Sequence, residues 1–279
     1  MGPEEVRLMS GRVAGKVALV TGAARGQGRA DAVRLAQEGA DVIVVDVCAP
    51  LPSVPYDSAA PEDLAETVRQ VEKTGRRVIL GIVDIRDLDK LRDVVDGAVA
   101  KLGRLDVIVA NAGICVPKPW DKVTPQIFAD TISTNVTGTW NTVMAGTPHL
   151  VRAGGGSIIL ISSAAGLKVQ PFMVPYTTSK FAVRGMAKAF AAELGQHGIR
   201  VNSVHPTGVN TPMGSGQMRA EIEAAIAGYP RLGAMFINML PVDGTEPEDV
   251  AETVLFLASD ESKYITAHEI APDAGVTEF

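Results

Sequence analysis

The sequence of 279 residues is poor in cysteine and histidine and carries no excess of basic residues. Its two cysteines, Cys48 and Cys115, exclude a disulfide framework and fit a reducing compartment. The four histidines lack the spacing of a metalloprotease motif, so we expect no bound metal. A formal net charge of −6 excludes the basic field that nucleic acid or anionic lipid would require as a partner.

The sequence also lacks long apolar runs. No stretch approaches about 18 consecutive apolar residues, so we expect no membrane partner and no membrane-spanning helix. Near the first residue, Glu4 and Glu5 stand where a signal peptide has a basic and then an apolar region. We therefore interpret residues 1–13 as a short N-terminal extension, residues 14–279 as a single domain, and the protein as cytoplasmic.

Short β-branched runs alternate with longer helical patterns along the chain. The runs are 16–21, 41–46, 77–84, 105–111, 156–162, 199–205 and 268–273. Most are almost continuously apolar, which is typical of strands that helices cover on both faces. Helical patterns such as 28–39 and 182–198 end at glycine. The alternation predicts an α/β fold of the Rossmann type, with a doubly wound parallel sheet of about seven strands.

Two segments interrupt this alternation. Residues 47–60 contain three prolines and form a long connection, and long loops tend to be functional or disordered. Residues 212–244 contain three prolines and four of the nine methionines. We interpret the second segment as a mobile, apolar lid.

The first strand leads into a glycine-rich segment, TGAARGQG, at 21–28. Glycines let the backbone approach a pyrophosphate, whose charge then lies at a helix N-terminus. Asp46 ends the second strand, where a carboxylate accepts both ribose hydroxyls and repels a 2′-phosphate. This favours NAD as the cofactor. Arg25 could instead pair with a 2′-phosphate, so an NADP-dependent carbonyl reductase remains an alternative.

Tyr176 and Lys180 are four residues apart, so on a helix they share one face. Tyrosine, with a pKa of about 10, is a poor base, but a neighbouring ammonium group and a cofactor cation are expected to lower that pKa. Ser163 follows the strand 156–162, at the edge of a parallel sheet where ligands bind. A surface tyrosine beside a solvated lysine, and a helix-packing Asn135, are the structural alternatives.

These motifs together resemble the short-chain dehydrogenase/reductase family. The resemblance covers essentially residues 14–275, and its ordered motifs are TGAARGQG, Asp46, Asp84-Ile85, Asn111-Ala112-Gly113, Asn135, Ser163, YTTSK at 176–180 and HPTGVNTPM at 205–213. It implies that Tyr176 is the acid/base and that Lys180 binds the nicotinamide ribose. It further implies that Ser163 holds the substrate oxygen and that Asn135 anchors a proton-relay water.

The resemblance also implies a set of cofactor-binding residues. Asp84 and Ile85 would flank the adenine, Asn111 the adenosine ribose, and Val209 and Thr211 the carboxamide. The whole predicted set is Gly22, Arg25, Gly26, Gln27, Gly28, Asp46, Asp84, Ile85, Asn111, Ala112, Gly113, Tyr176, Lys180, Val209 and Thr211. The sequence departs from the family pattern at Thr207, where glycine is usual, and we expect a different backbone near the nicotinamide there.

More narrowly, the glycine-rich segment, the proline-bearing insertion and the run VHPTGVNTPM are similar to the mycofactocin-associated, carveol-dehydrogenase-like branch. The resemblance implies that NAD is tightly retained and that a redox partner reoxidises bound NADH. It also implies a homotetramer and an apolar secondary alcohol or ketone as substrate.

The segment between Ser163 and Tyr176, together with the lid, predicts an apolar substrate pocket. Its predicted lining is Ile114, Cys115, Leu167, Phe172, Met173 and Met213, to which the lid adds Met218, Met235, Phe236 and Met239. Methionine is flexible and fits a bulky apolar guest, so we expect a cyclic or terpenoid alcohol. The alternatives are that these methionines pack the core or an interface, and that the chain is a dinucleotide-binding sensor without turnover.

Overall fold

One parallel sheet forms the centre of the molecule in the computed structural model, which describes residues 11–214 and 216–278. Its strands are β1 (Val17–Thr21), β2 (Asp41–Asp46), β3 (Val78–Ile82), β4 (Val107–Ala110), β5 (Gly156–Ile161), β6 (Ile199–Val204) and β7 (Glu269–Ile270). They lie in the order β3-β2-β1-β4-β5-β6-β7, and every adjacent pair is parallel. The predicted doubly wound α/β fold is confirmed.

Helices cover both faces of the sheet. They are α1 (Gly26–Gln37), α2 (Pro61–Glu72), α3 (Leu88–Leu102), α4 (Pro125–Ile132), α5 (Gly138–Ala153), α6 (Val174–Leu194), α7 (Gln217–Gly228) and α8 (Pro247–Ala258). Helix α1 packs against α2 and α8, and α3 packs against α5. Successive residues of β1 belong to different apolar clusters, Leu19 with Leu91 and Val20 with Leu35. Since successive strand residues point to opposite faces, the two clusters are the two sides of the core.

The local sequence explains where several helices begin. Helix α4 starts with Pro125 directly after Thr124, whose hydroxyl accepts a hydrogen bond from the Ile127 N–H at 3.2 Å. Such a cap satisfies one of the free N–H groups at the helix start, and proline at the first position has no N–H to lose. Helix α2 likewise starts at a proline, Pro61.

The order of the strands reverses between β1 and β4. Strand β1 pairs with β2 on one side and with β4 on the other. In open α/β sheets, ligands bind beyond the carboxyl ends of the strands at such a point. Gly22 follows β1 and Asn111 follows β4, so both lie at this edge.

Two elements near the edge differ from the predictions. Helix α6 begins at Val174 rather than at 182, because Pro175 lies in its first turn, where proline is tolerated. Tyr176 and Lys180 therefore lie in the first turns of a helix. The stretch around Asn135 is not regular α-helix, since Ser133–Thr137 forms a π-helical turn between α4 and α5.

Part of the terminal extension packs on the core, and the lid contains helical segments. Val13 is buried in the core and its N–H donates to the Glu38 carbonyl at 3.2 Å, whereas residues 1–10 lie outside the described residues. The lid segment 212–244 contains α7 and a 3₁₀ segment, Pro230–Phe236. Within 11–214 and 216–278, no helix combines the length and apolarity needed to cross a bilayer.

Candidate active site

The turn from β1 into α1 is shaped for close approach of the backbone. Gly22 and Gly26 have φ angles of 67° and 55°, in the left-handed region that glycine adopts most easily. A Cβ at Gly22 would lie 2.8 Å from the Cα of Ala112, and one at Gly28 would lie 2.6 Å from Nδ2 of Asn111. The glycines therefore let the turn pack directly against the chain that follows β4.

Asn111 joins the ends of β1 and β4. Its Nδ2 donates to the carbonyl oxygens of Thr21 at 3.0 Å and Gly22 at 3.3 Å. The N–H groups of Asn111 and Ala112 both donate to Oγ1 of Thr21 at 3.2 Å. The side-chain amide group of Asn111 thus holds the glycine turn, and its predicted place beside a ribose stays a prediction.

Two carboxylates border the cleft beyond β2 and β3. Asp46 accepts hydrogen bonds from the N–H groups of Ala24 at 3.0 Å and Cys48 at 3.1 Å. Asp84 forms a bidentate pair with Arg86, whose Nη2 lies 2.6 Å from Oδ2. Partial burial opposes the charge of Asp84, but the hydrogen bonds from Arg86 outweigh it and hold the pKa of Asp84 below its ordinary value.

The loop 47–60, between β2 and α2, borders the same cleft. Leu51, Val54, Tyr56, Ser58 and Ala59 of this loop line it. The guanidinium group of Arg25 donates to the carbonyl oxygen of Asp57. Arg25, which the sequence left open as the partner of a 2′-phosphate, thus ties the glycine turn to the loop.

Ser163, Tyr176 and Lys180 come together at the carboxyl end of β5. Lys180 is 5% exposed, and its Nζ donates to the carbonyl oxygen of Ile161 at 2.8 Å. The same Nζ lies 5.4 Å from the centre of the Tyr176 ring. The Ser163 hydroxyl lies near enough to the Tyr176 hydroxyl to act on its pKa. These are the three side chains that the sequence predicted to act together.

Burial governs the protonation of this group. It raises the pKa of Tyr176, and the neighbouring Ser163 hydroxyl opposes the rise only in part. Desolvation of the phenolate dominates this shift, and the lowered tyrosine pKa, which requires a cofactor cation as well as Lys180, stays a prediction. Burial also lowers the pKa of Lys180 to about 8. A phenolate at neutral pH therefore requires a further positive charge at the site.

Asn135 lies in the π-helical turn and is 1% exposed. Its Oδ1 accepts from the Ile114 N–H at 2.8 Å, and its Nδ2 donates to the Ile114 carbonyl at 2.9 Å and to Oγ of Ser179 at 3.0 Å. The side chain thus links the segment after β4 to helix α6. Such turns are frequent at functional sites. The water expected at Asn135 stays a prediction.

His205 supports Ser163, although no sequence motif assigned it a role. It is fully buried, and burial lowers its pKa to about 4, so the ring is neutral at neutral pH. Its Nδ1 lies 2.9 Å from the carbonyl oxygen of Ser163 and must carry the proton, because a carbonyl only accepts. Its Nε2 then accepts from the Ser203 hydroxyl at 2.8 Å. The imidazole therefore fixes the backbone at Ser163.

The cleft between these groups has a volume of about 190 Å³. From the predicted cofactor set it is lined by Gly22, Arg25, Gly26, Gln27, Asp46, Asp84, Ile85, Asn111, Ala112, Gly113, Tyr176, Lys180 and Thr211. Gly28 and Val209 are buried and are not in the lining.

Two polar atoms in the cleft wall are buried without a hydrogen-bond partner in the described part of the chain. They are Oε1 of Gln27 and Oγ1 of Thr134, both from residues that line the cleft. Thr134 was not predicted as a site residue. Buried polar atoms are nearly always hydrogen-bonded in native proteins, so these two fit a polar ligand. Together with the glycine turn and the start of α1, they fit a dinucleotide.

Some of the predicted substrate-pocket residues lie together in the structure, and others lie apart from them. Cys115, Met173 and Met218 form a buried apolar cluster, against which Tyr56, Tyr176, Met213, Ile222 and Phe236 pack. Ile114 lines the cleft, and the ring of Phe172 lies 5.8 Å from that of Tyr229. Leu167 and Met235 lie outside the cluster. Met239 is 53% exposed and lies beside Gly275, so it does not reach the cluster.

The chain is similar to known proteins over almost its whole length. Residues 16–222 match the family described as short chain dehydrogenase. A (−)-trans-carveol dehydrogenase of Rhodococcus erythropolis is 42% identical, over 95% of this chain and 99% of the relative.

Two solved structures are also similar to this chain over almost its whole length. The short chain dehydrogenase from Mycobacterium paratuberculosis bound to NAD is 59% identical with a TM-score of 0.95, over 96% of this chain and 100% of that one. The carveol dehydrogenase from Mycobacterium avium in complex with NAD is 45% identical with a TM-score of 0.91, at the same coverage.

Proposed function

Since the chain belongs to the short-chain dehydrogenase/reductase family, we propose that it transfers a hydride between NAD and an apolar, cyclic or terpenoid secondary alcohol or its ketone. The observation that carries this proposal is the meeting of Ser163, Tyr176 and Lys180 beside a glycine-lined cleft. A hydroxyl pair next to a buried ammonium group is suited to move a proton on and off a substrate oxygen.

The residues that line the cleft support binding of NAD. The turn at 22–28 and the start of α1 would hold the pyrophosphate, and Asp46 the adenosine ribose. Asp84 and Ile85 would hold the adenine, with Asn111, Ala112 and Gly113 beside the ribose. Lys180 would hold the nicotinamide ribose, and Val209 and Thr211 the carboxamide. When bound, NAD accepts or supplies the hydride.

Tyr176 would transfer the proton of the reaction. Its phenolate would take the alcohol proton during oxidation, and the resulting phenol would return that proton during reduction, while Ser163 would hold the substrate oxygen. At pH values below its pKa of about 8, Lys180 is mostly protonated and positively charged. Together with a second cation, this charge favours the phenolate form of Tyr176. Asn135 holds the Ile114 backbone and would anchor a water that relays the proton.

Asp46 and Arg25 support NAD rather than NADP. The Asp46 carboxylate would repel a 2′-phosphate, and the Arg25 guanidinium is already donating to the Asp57 carbonyl. Two similar proteins were solved with NAD.

The buried cluster of Cys115, Met173 and Met218 supports an apolar substrate, because it can contact a hydrocarbon ring without leaving polar groups unpaired. Two of the similar proteins are carveol dehydrogenases.

The loop 47–60 supports tight retention of NAD and hence a redox partner that reoxidises bound NADH. The loop lines the cleft and is tied to the glycine turn through Arg25. Nucleotide that stays with the protein through gel filtration and appears only after acid denaturation would support retention. A purified protein without nucleotide would contradict it.

Exposed apolar side chains on neighbouring helices support a homotetramer. Trp140 and Val151 project from α5, and Val174 and Phe181 from α6. Apolar side chains of this size are commonly covered by another subunit. Light scattering of the purified protein tests this state, and a monomer at micromolar concentration would contradict it.

The proposed reaction is tested by assaying purified protein with NAD and with NADP on a series of secondary alcohols. An artificial electron acceptor is included so that a retained cofactor still turns over. We expect kcat/KM to rise from cyclohexanol to carveol and to be higher with NAD. A preference for NADP, or a maximum on a small polyol, would overturn the proposal. Nucleotide binding without any turnover would favour a sensor.

A further inference from the structure

The loop 47–60 reaches both halves of the cleft. It leaves the sheet after Asp46, on the nucleotide side, and its residues Leu51 and Val54 line the cleft without joining the apolar cluster. Tyr56 of the same loop packs against the cluster of Cys115 and Met173. One loop therefore contributes to the nucleotide half and to the substrate half.

The hydroxyl of Tyr56 contacts the backbone of the substrate half. The Cys115 N–H donates to Oη of Tyr56 at 3.4 Å. The preceding residue, Ile114, is held by Asn135 through both its N–H and its carbonyl. Burial raises the pKa of Tyr56, so its ring enters the cluster as a neutral phenol. Two successive residues of the pocket wall are thus held by side chains from different parts of the chain.

Tyr56 and Tyr176 face the same apolar space. Both rings pack against the Cys115 cluster together with Met213. A substrate whose oxygen meets Tyr176 and whose hydrocarbon rests on this cluster would contact the Tyr56 ring. Asp57, the next residue, is held by Arg25, so the position of the ring is fixed from the glycine turn.

We propose that Tyr56 forms one wall of the substrate pocket and limits the size of the alcohol that the site accepts. This inference rests on the proposed function. An aromatic ring with two rotatable bonds, pinned at its hydroxyl, is a rigid boundary, unlike the flexible methionines around it.

The test compares Tyr56→Ala, Tyr56→Phe and the matched control Leu51→Ala, which shortens a side chain of the same loop that does not join the apolar cluster. The readout is the ratio of kcat/KM for the bulky alcohol borneol to that for cyclohexanol. Because added hydrocarbon in a pocket is worth about tenfold or more in selectivity, Tyr56→Ala should raise this ratio by at least about tenfold. Tyr56→Phe keeps the ring and should leave the ratio within about threefold of that of the original protein. A threefold change corresponds to a free energy no larger than that of the one neutral hydrogen bond which this variant removes.

Leu51→Ala should leave the ratio unchanged and alter only the affinity for NAD. Melting temperature and nucleotide binding show whether each variant is folded, and Tyr56→Leu replaces Tyr56→Ala if the latter is not. An unchanged ratio in a folded, active Tyr56→Ala or Tyr56→Leu overturns the role of Tyr56 alone. An original protein that oxidises no alcohol in the series overturns the proposed function instead.

Discussion

The nucleotide half and the substrate half of the cleft are formed by different kinds of structural contact. The nucleotide half consists of backbone and of contacts between adjacent strand ends, such as Asn111 against Gly22. The substrate half consists of side chains from distant segments, where Tyr56, Cys115 and Met218 meet. A larger side chain in the nucleotide half therefore causes a steric clash within a tight turn. A change in the second half is absorbed by flexible side chains and alters which substrate fits.

The largest effect is expected where the two halves meet, at Tyr176. Tyr176→Phe keeps the ring and removes the proton, so kcat should fall by about 10²- to 10⁴-fold, the usual contribution of an acid/base group. Binding of NAD, measured by titration, should stay close to that of the original protein. Tyr229→Phe is the control, since this tyrosine lies on the lid and its ring contacts Phe172. Nearly normal turnover in Tyr176→Phe would remove Tyr176 from the mechanism.

The rigidity of the nucleotide half is tested at Gly28. A Cβ there would meet Asn111 Nδ2 at 2.6 Å and also the Gly22 backbone, so Gly28→Ala forces the turn to move. Overpacking costs about 1–3 kcal/mol, and we expect NAD affinity to fall by about tenfold or more. The control is Gly97→Ala in α3, where the new methyl group meets nothing within 4 Å. It should raise the free energy of unfolding by about 0.5–1 kcal/mol. Calorimetric titration that finds equal NAD affinity in Gly28→Ala would contradict the steric argument.

Asp31 is an exception within the nucleotide half, because its carboxylate is buried in α1 with no partner among the described residues. Burial raises its pKa well above the ordinary value. A raised acid pKa means that the unfolded chain releases its proton first, so the folded state loses stability as pH rises towards the folded pKa. Asp31→Ala should therefore stabilise the protein, by about 1–3 kcal/mol at neutral pH, the usual cost of a buried unpaired group.

Urea unfolding at several pH values measures this effect. The gain in the free energy of unfolding from Asp31→Ala should shrink as pH falls to about 4, where the Asp31 carboxyl group of the unfolded chain is also protonated. Asp243→Ala, at an exposed position, is the control and should change stability by less than about 0.5 kcal/mol. Lower stability of Asp31→Ala at neutral pH would mean that the carboxylate is stabilised in the fold.

The smallest effect is expected on the lid. Lys118 and Glu221 form an ion pair at 2.7 Å that joins α7 to the segment after β4. Both side chains are partly exposed, so the pair is worth about 0–1 kcal/mol. Glu221→Gln should change KM by about two- to fivefold and should weaken its dependence on salt. The control Arg219→Gln breaks the Arg219–Glu223 pair on the same helix. An equal effect of both variants on KM would show that this pair does not hold the lid.

The sequence predicted the nucleotide half well, because its signals are local. A strand, a glycine turn and a helix follow one another directly at 17–37, and Asp46 ends the next strand. Each of these elements has its own pattern of apolar residues or glycine. The helical pattern noted at 182–198 is only the later part of α6, which begins at Val174 with Pro175 in its first turn, where proline is tolerated.

The substrate half could not be predicted to the same degree. Tyr56 lies in a loop without periodicity, and its position depends on Arg25 and on the Cys115 N–H, which are distant in sequence. Met239 and Phe236 are three residues apart in the lid, yet only Phe236 packs against the cluster. The π-helical turn at Asn135 is set by its contacts with Ile114 and Ser179 rather than by local propensity. Such contacts exist only once the sheet is assembled.

The strand order has a consequence for how the chain folds during synthesis. Strands β1, β2 and β3 leave the ribosome first, but the second edge of β1 pairs with β4, which appears only after α3 has been made. Until then β1, a strand that is buried throughout in the complete fold, presents an unpaired edge, which is a site for aggregation. Parallel pairing across long separations is also slow to form. Expression at lower temperature or with added chaperones should therefore raise the soluble yield, and a fragment that stops before 107 should precipitate.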